Sequence, residues 1–398
     1  MSRLDKDTKI AIIGSGSMGS GIAQVAAAAG HEVCLFDKNS EALEKASTKL
    51  KKILDRQVEK ERLTRNEGDA IYGRIEFCNN LEDLSGAGLM IEAIVEDLDV
   101  KRNLFSHLEL ILDDTTILAT NTSSLSIAKI ASACSKPHRV LGIHFFNPAP
   151  LMPLVEIIPA VQTSGDALVE ARNLIDSWGK VTVIAKDTPG FIVNRVARPF
   201  YGEALRILEE GIADVPTIDW AIKELGGFRM GPFELMDYIG NDINYVVTET
   251  VFTEFFYDPR YRPSFTQKRM MEAGWLGRKS GKGYYDYSED AEQPAPTKDT
   301  ELGNLILNRI LVMLINEAAD ALYLNISTRE GIELAMTRGV NYPKGLFQWA
   351  DELGIEEVLK QLETLQDLYG EDRYRPSVLI KKMVKEKKSF YSETLIEN

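Results

Sequence analysis

The sequence predicts an α/β domain built on a parallel sheet, followed by two tandem all-α helical domains. Three observations carry this expectation. Up to about residue 185, short apolar runs alternate with helix-length amphipathic segments, as in a parallel sheet covered by helices on both faces. After Asp187 the strand signals stop and helical periodicity takes over. The helical part then repeats itself. Asn194-Arg195 recurs as Asn308-Arg309, Glu203-Ala204 as Glu317-Ala318, and Gly231, Asp237 and Gly240 as Gly345, Asp351 and Gly354, all 114 residues apart. Tyr261-Arg262-Pro263-Ser264 recurs as Tyr374-Arg375-Pro376-Ser377 at a spacing of 113, the slip that a one-residue loop indel gives. Fixed spacing across unlike residue types marks a duplication, and two copies are too few for a solenoid.

Taken in order, strands are expected at 9–13, 32–36, 89–95, 116–119, 140–143, 154–158 and 181–184, each an apolar run of strand length. Helices are expected between them at 18–29, 40–59, 100–112, 125–133 and 166–178. Asp187-Thr188-Pro189 reads as a helix start, an N-cap followed by proline in the first turn. Residues 288–300, SEDAEQPAPTKDT, have no large apolar residue and read as a linker. The expected division is 1–186 for the α/β domain, 187–287 for the first helical copy, 288–300 for the linker and 301–398 for the second copy.

Composition narrows the function classes. The 398-residue chain is 44% apolar and 27% charged, and 46 Lys+Arg against 60 Asp+Glu give a net charge of −14. That is a folded, soluble composition, and its acidity argues against bulk nucleic-acid binding. The cysteines are three, Cys34, Cys78 and Cys134, too few for a disulfide scaffold and not at zinc spacing. The histidines, His31, His107, His138 and His144, form no metal-binding pattern, so no metal is expected. No apolar run approaches the roughly 18 residues of a membrane helix, and the N-terminus lacks a secretory pattern. A reduced, cytoplasmic setting follows.

The segment KIAIIGSGSMGSGIAQ places Gly14, Gly16 and Gly19 in GxGxxG spacing, after an apolar strand and at the opening of an Ala-rich helix. In that context the pattern reads as a Rossmann-type dinucleotide site. Gly14 allows the sharp turn, Gly16 lets a pyrophosphate approach backbone N–H groups at the helix N-terminus, and Gly19 lets the helix pack closely on the sheet. Asp37 closes the next strand, 18 residues after Gly19. Its carboxylate accepts hydrogen bonds from ribose hydroxyls and repels a 2′-phosphate, so NAD is expected over NADP; Lys38 beside it works against that discrimination.

A central block, NTSSLSIAKI…LGIHFFNPAPLMPLVEII…DTPGFIVNR, carries the chemistry. His144 ends the 140–143 strand, at the edge where open parallel sheets bind ligands, and imidazole exchanges protons near neutral pH. Glu156 lies inside the apolar run LVEII, where a buried carboxylate needs a partner. A His–Glu pair satisfies it and fixes the imidazole tautomer.

With HFFNP at 144–148, NTSS at 121–124, PGFxxNR at 189–195, MGPFEL at 230–235 and GRKSGKGxYDY at 277–287, the sequence resembles the L-3-hydroxyacyl-CoA dehydrogenase family, including the 3-hydroxybutyryl- and 3-hydroxyadipyl-CoA dehydrogenases. The resemblance covers residues 9 to about 287, and the second helical copy extends it. It implies NAD-dependent, reversible oxidation of (S)-3-hydroxyacyl-CoA to 3-oxoacyl-CoA. It implies His144 as the base, Glu156 as the carboxylate orienting it, Asn147 as a residue fixing the histidine and the thioester, and Ser123 and Asn194 as hydrogen-bonding partners of the substrate. The cofactor set becomes Gly14, Gly16, Ser17, Met18, Gly19, Asp37, Glu96, Lys101 and Asn121, with Glu96 beside the nicotinamide ribose. Arg56 and Lys60, four apart on a basic helix, match positions that reach the CoA phosphates. Asn308 repeats Asn194 without the DTPGF lead-in and is read as structural.

In this chain, Pro153 stands where short relatives carry a lysine, which resembles the long multifunctional relatives. Two rivals are weighed. A dehydrogenase of free hydroxy acids tends to carry lysine at the position of Asn194. A structural, crystallin-like protein on the same fold has no need of the full polar set. Single-copy relatives dimerise through the helical domain, so the second copy is expected to fill the partner's place as an intramolecular pseudo-dimer, leaving a monomer or weak homo-oligomer. The expected partner is acyl-CoA, with no nucleic acid and no membrane.

Overall fold

The computed structural model describes residues 4–391; the expected bounds at 1 and 398 lie outside the described residues. The chain forms two compact units, Met1–Phe191 and Ile192–Asn398.

Among the described residues the first unit holds an eight-stranded sheet. Its strands are β1 Ile10–Ile13, β2 Val33–Phe36, β3 Ile75–Cys78, β4 Leu89–Glu92, β5 Ile117–Thr120, β6 Val140–Phe145, β7 Leu154–Pro159 and β8 Val181–Ile184, in the order β3-β2-β1-β4-β5-β6-β7-β8. The helices α1 Ser17–Ala28, α2 Ser40–Glu59, α3 Arg65–Gly73, α4 Leu98–Ile111, α5 Ile127–Ala131 and α6 Gly165–Ser177 connect them. Strands β1, β4 and β5 are fully buried, as their unbroken apolar runs require of a sheet covered on both faces. The order reverses between β1 and β4, which places a ligand crevice at the carboxyl ends of these strands.

Four expectations are corrected. The sheet is not parallel throughout: β7 runs antiparallel to β6. Residues 146–153 between them hold no helix, and a parallel return needs a crossover of a dozen residues or more. The strand expected at 89–95 ends at Glu92. Asp187 does not open a helix at Pro189. Gly190 and Phe191 have positive φ, the next helix begins at Val193, and the Asp187 carboxylate accepts from Ile127 N and Ala128 N at 3.0 and 2.8 Å, capping α5 instead. Finally, the cysteines are not all reduced: Cys34 on β2 and Cys78 on β3 form a disulfide. The odd count guarantees one free thiol and does not forbid one pair. Neighbouring parallel strands bring the two sulfurs together. Cys134 is free and buried, and burial pushes its thiol up to about 11.

The second unit is mainly helical. It runs through α7 Val193–Val196, α8 Arg198–Glu209, α9 Val215–Trp220, α10 Pro232–Ile239, α11 Asn241–Glu254 and α12 Phe265–Glu272, then α13 Thr300–Tyr323, α14 Arg329–Leu334, α15 Leu346–Leu353, α16 Ile355–Tyr369 and α17 Val378–Glu386. Helix α13 is buried on nearly every side from Arg309 to Ala319 and packs along α8. The GRKSGKGxYDY segment is a structural wrap: Tyr284 N and Tyr285 N donate to the buried Asp237 carboxylate at 3.0 and 2.9 Å, and Tyr287 donates to it at 3.1 Å. No described helix is long and apolar enough to cross a membrane.

Candidate active site

The glycine-rich turn is built as its spacing requires. Gly14 has φ +101°, and a side chain there would meet Ala93 O at 2.6 Å. A Cβ on Gly19 would lie 1.7 Å from Gly14 O, so only glycine allows α1 to sit against the turn. A Cβ on Gly16 would meet no protein atom within 4 Å. Gly16 is the N-cap of α1 and offers no side-chain cap. Open space thus faces the first N–H groups of α1, at Ser17 and Met18, where a phosphate is favoured. Asp37, just past β2, accepts from Ser15 N and Ser15 Oγ, both at 2.8 Å, and from Asn39 N at 2.9 Å. Burial works against its ionisation, but these hydrogen bonds and Lys38 outweigh it and hold the carboxyl below its usual value. The residues present therefore fit a dinucleotide with an unmodified ribose.

At the ends of β4 and β5 the structure joins several expected residues through one that the sequence reading missed, Glu92. Its fully buried carboxylate accepts from Lys101 Nζ at 2.6 Å, Ile94 N at 2.7 Å and Thr120 Oγ1 at 2.7 Å. Lys101, only 1% exposed, also reaches Glu96 Oε2 at 3.2 Å. The other oxygen of Glu96 accepts from Thr122 Oγ1 at 2.5 Å, Ser123 N at 3.0 Å and Ser124 Oγ at 3.2 Å. Burial raises the Glu96 pKa, and the lowering by Lys101, Thr122 and Ser123 exceeds it, so Glu96 is held ionised. Glu92 closes an apolar strand just as Glu156 interrupts one, and the partner-demanding argument applied to Glu156 would have found it.

His144 lies near the end of β6, directly opposite Glu156 in the antiparallel register with β7. Nδ1 stands 2.7 Å from Glu156 Oε2; His144 is 5% exposed and Glu156 fully buried. A carboxylate accepts only, so Nδ1 carries the hydrogen, and in the neutral ring Nε2 is the nitrogen left with a lone pair. The rings of Phe146 and Phe191 stand 4.5 and 5.8 Å from the imidazole. Asn121 ties this strand to the previous one: its Oδ1 accepts from Phe145 N at 2.8 Å, and its N donates to Glu92 O at 2.7 Å. A second residue missed by the sequence reading, Lys180, donates to Ala149 O at 2.6 Å and Met152 O at 2.9 Å, pinning the 146–153 segment beyond the histidine. Burial lowers its pKa.

Other expected residues stand apart. Asn147 is exposed, and no hydrogen bond to His144 is formed among the described residues. Arg56 and Lys60 are exposed on α2 and at its end. Among the described residues they form no ion pair, whereas Lys51 and Arg65 nearby pair with Asp69 and Asp55. Asn194 lies in the second unit, on α7. Among the described residues, the one group that could hold a metal is Cys34, Glu76 and Cys78, two of which are the disulfide.

The chain matches the family model described as 3-hydroxyacyl-CoA dehydrogenase, NAD binding domain, over residues 9–188. It matches the model described as 3-hydroxyacyl-CoA dehydrogenase, C-terminal domain, twice, over 190–287 and 305–392. It is 36% identical to 3-hydroxyadipyl-CoA dehydrogenase of Escherichia coli K12, across 94% of this chain and 96% of that one. A probable 3-hydroxybutyryl-CoA dehydrogenase of Bacillus subtilis is 42% identical, across 71% of this chain and 98% of its own. A crystal structure of 3-hydroxybutyryl-CoA dehydrogenase from Escherichia coli K12 superimposes with a TM-score of 0.91 at 35% identity, covering 96% of this chain and 99% of that chain.

Proposed function

This chain belongs to the 3-hydroxyacyl-CoA dehydrogenase family, and from that premise we propose how its residues carry out the NAD-dependent oxidation of (S)-3-hydroxyacyl-CoA to 3-oxoacyl-CoA. The enzyme is an oxidoreductase of acyl-CoA metabolism with NAD as cofactor. The observation that carries the residue assignment is the buried His144–Glu156 pair. NAD, when bound, supplies the hydride acceptor. His144 takes the 3-hydroxyl proton on Nε2, and Glu156 holds the ring in the required tautomer and stabilises the imidazolium. In reverse, the same imidazolium returns the proton to the forming alkoxide. Ser123 and Asn194 are assigned hydrogen bonds to the substrate's 3-oxygen and thioester region, and Asn147 a part in fixing the histidine and the thioester. The cofactor is held by Gly14, Gly16, Ser17, Met18, Gly19, Asp37, Glu96, Lys101 and Asn121. The closed Lys101–Glu96–Ser123 chain supports that set. The nature of the acyl group is left at the 3-hydroxyacyl class, which spans the short-chain and carboxylate-ended substrates in the relatives' names. The cytoplasm, where both soluble cosubstrates are found, is the proposed setting.

Replacing Asp37 by Ala tests the cofactor assignment. The unmodified enzyme should prefer NAD over NADP by more than about tenfold in kcat/KM, roughly 1.4 kcal/mol of discrimination. The Ala variant should narrow that ratio by restoring NADP use. Equal use of both cofactors by the unmodified enzyme would refute the role of Asp37.

Arg56 and Lys60 are proposed to meet the CoA phosphates, supported by their exposure on α2 and at its end, where neither forms an ion pair among the described residues. Replacing both by Ala should raise KM for an acyl-CoA roughly fivefold, the worth of two exposed charge contacts. The effect should shrink with added salt. A pantetheine thioester lacking the nucleotide should be unaffected; an equal loss for both substrates would assign the pair to the stability of α2.

The division into 1–186, 187–287, a linker at 288–300 and 301–398 is proposed for the domains, with the helical copies forming an intramolecular pseudo-dimer. A reciprocal ion network supports it. From the first copy, Arg195 Nε, Arg260 and Tyr261 OH converge on Glu317 of the second at 2.6, 2.9 and 2.6 Å. From the second copy, Arg309 Nε and Tyr374 OH converge on Glu203 of the first, both at 3.0 Å, with Arg373 at 4.0 Å. Each residue meets the counterpart of its own repeat mate, as in an isologous interface. The copies differ in their interiors. Arg198 Nε donates to Asn194 O at 2.8 Å and stands in a buried polar cluster with Asn244, Thr248 and Gln267. Their repeat mates are Val312, Val358, Leu362 and Ile380, all fully buried. Among the described residues, this polar contact to the backbone of Asn194 has no match beside Asn308, where Val312 takes the place of Arg198, which favours Asn194 as functional and Asn308 as structural.

A further inference from the structure

We propose that the buried carboxylate of Glu92 makes the site discriminate by charge between the oxidised and reduced forms of its cofactor. The inference rests on the proposed cofactor site and adds to it a residue outside the expected set. Glu92, Lys101 and Glu96 form one line of charge, with Lys101 Nζ 2.6 Å from Glu92 and 3.2 Å from Glu96. Two anions and one cation leave one net negative charge. One lysine balances one carboxylate, so it is the presence of Glu92 beside Glu96 that leaves the cluster net negative. Glu92 and Lys101 are shut off from water, so salt screens this charge poorly.

The charge lies where it can act on the nicotinamide half. Asp37 after β2 and the N-terminus of α1 fix where the adenosine ribose and pyrophosphate sit. The remaining half of the dinucleotide then extends over the ends of β4 and β5, on the far side of the reversal in strand order. Glu92 terminates β4 and accepts from Thr120 at the end of β5. It also holds Ile94 N, in the 93–94 segment against which Gly14 turns. The nicotinamide ring is cationic when oxidised and neutral when reduced. A net negative cluster near that half therefore shifts the balance of affinities toward the oxidised form, and a neutral cluster does not.

The test is the ratio of dissociation constants for NAD+ and NADH, measured by calorimetry on the intact chain. Glu92→Gln keeps the size and most hydrogen bonds of the side chain and removes its charge. It should raise Kd(NAD+)/Kd(NADH) roughly tenfold, as expected for a unit charge acting across several ångströms of protein. Thr120→Val disturbs the same cluster without changing charge and should leave the ratio alone. If Glu92→Gln does not fold, Glu96→Gln makes the same charge change on a partly exposed residue and must move the ratio the same way. An unchanged ratio in the charge variants, or an equal shift in Thr120→Val, overturns the inference while leaving the cofactor site standing. Failure of the unmodified chain to bind either dinucleotide would overturn the site and the inference together.

Discussion

His144→Gln should lower kcat by about 10²–10⁴-fold, the usual contribution of a positioned acid–base group, while NADH binding read by fluorescence stays near normal. The glutamine fills the space of the imidazole and can still donate to Glu156, but it cannot take a proton at the position of Nε2. Glu156→Gln should also lower kcat strongly with little change in substrate KM. In the proposed mechanism Glu156 acts through the histidine rather than on the substrate, so without its charge the imidazolium would lose its support. Retention of more than a few per cent of activity by His144→Gln would show that another group is the base.

Glu317→Gln should destabilise the helical unit by about 3–5 kcal/mol, the usual cost of removing one partner from a buried ion pair. The loss is large because Arg195 and Arg260 would stay buried with their shared carboxylate gone. In a unit of this size that corresponds to a fall in melting temperature of about 10 °C. The same residue shapes the acid limb of stability. Burial opposes ionisation of Glu317, but Arg195 and Arg260 overcome it and hold its pKa at about 2. A pKa depressed in the folded state contributes stability above the unfolded value of about 4.3 and loses it as pH falls toward the folded value. Thermal melts between these limits should therefore show a decline that the Gln variant lacks. A variant that melts within a degree or two of the parent, with the same acid limb, would show that this ion network does not stabilise the helical unit.

Local signals in the sequence located most of the pieces. The glycine spacing, the strand ending in His144 and the apolar run around Glu156 each carry their own chemistry. The Arg195, Glu203 and Tyr261 repeats point to residues of the buried ion network in the helical unit. What was hidden is pairing across distance. The register that sets His144 opposite Glu156 follows from an antiparallel turn-back that 146–153 makes only because it holds no helix. Asp187 reads as a helix start because a following proline is a local signal, yet its carboxylate caps α5, some 60 residues earlier. Strand β3, IEFC, buries only its two end residues and is too short to stand out beside the buried runs. Nothing local in Lys101 or Lys180 shows that each amine is folded inward against oxygen acceptors. Crossed repeats look the same in sequence whether Arg195 meets Glu203 or Glu317; only the folded unit distinguishes them.

The proposed reaction moves hydride between NAD and the 3-position of an acyl-CoA thioester, with His144 as the proton carrier. The most direct measurement follows the near-ultraviolet absorbance of NADH on adding acetoacetyl-CoA, with free acetoacetate in parallel, for the unmodified chain and His144→Gln. Rapid loss of NADH is expected with the CoA thioester, little with the free acid, and almost none with the variant. No loss with the thioester, or equal loss with the free acid, would contradict the proposed reaction.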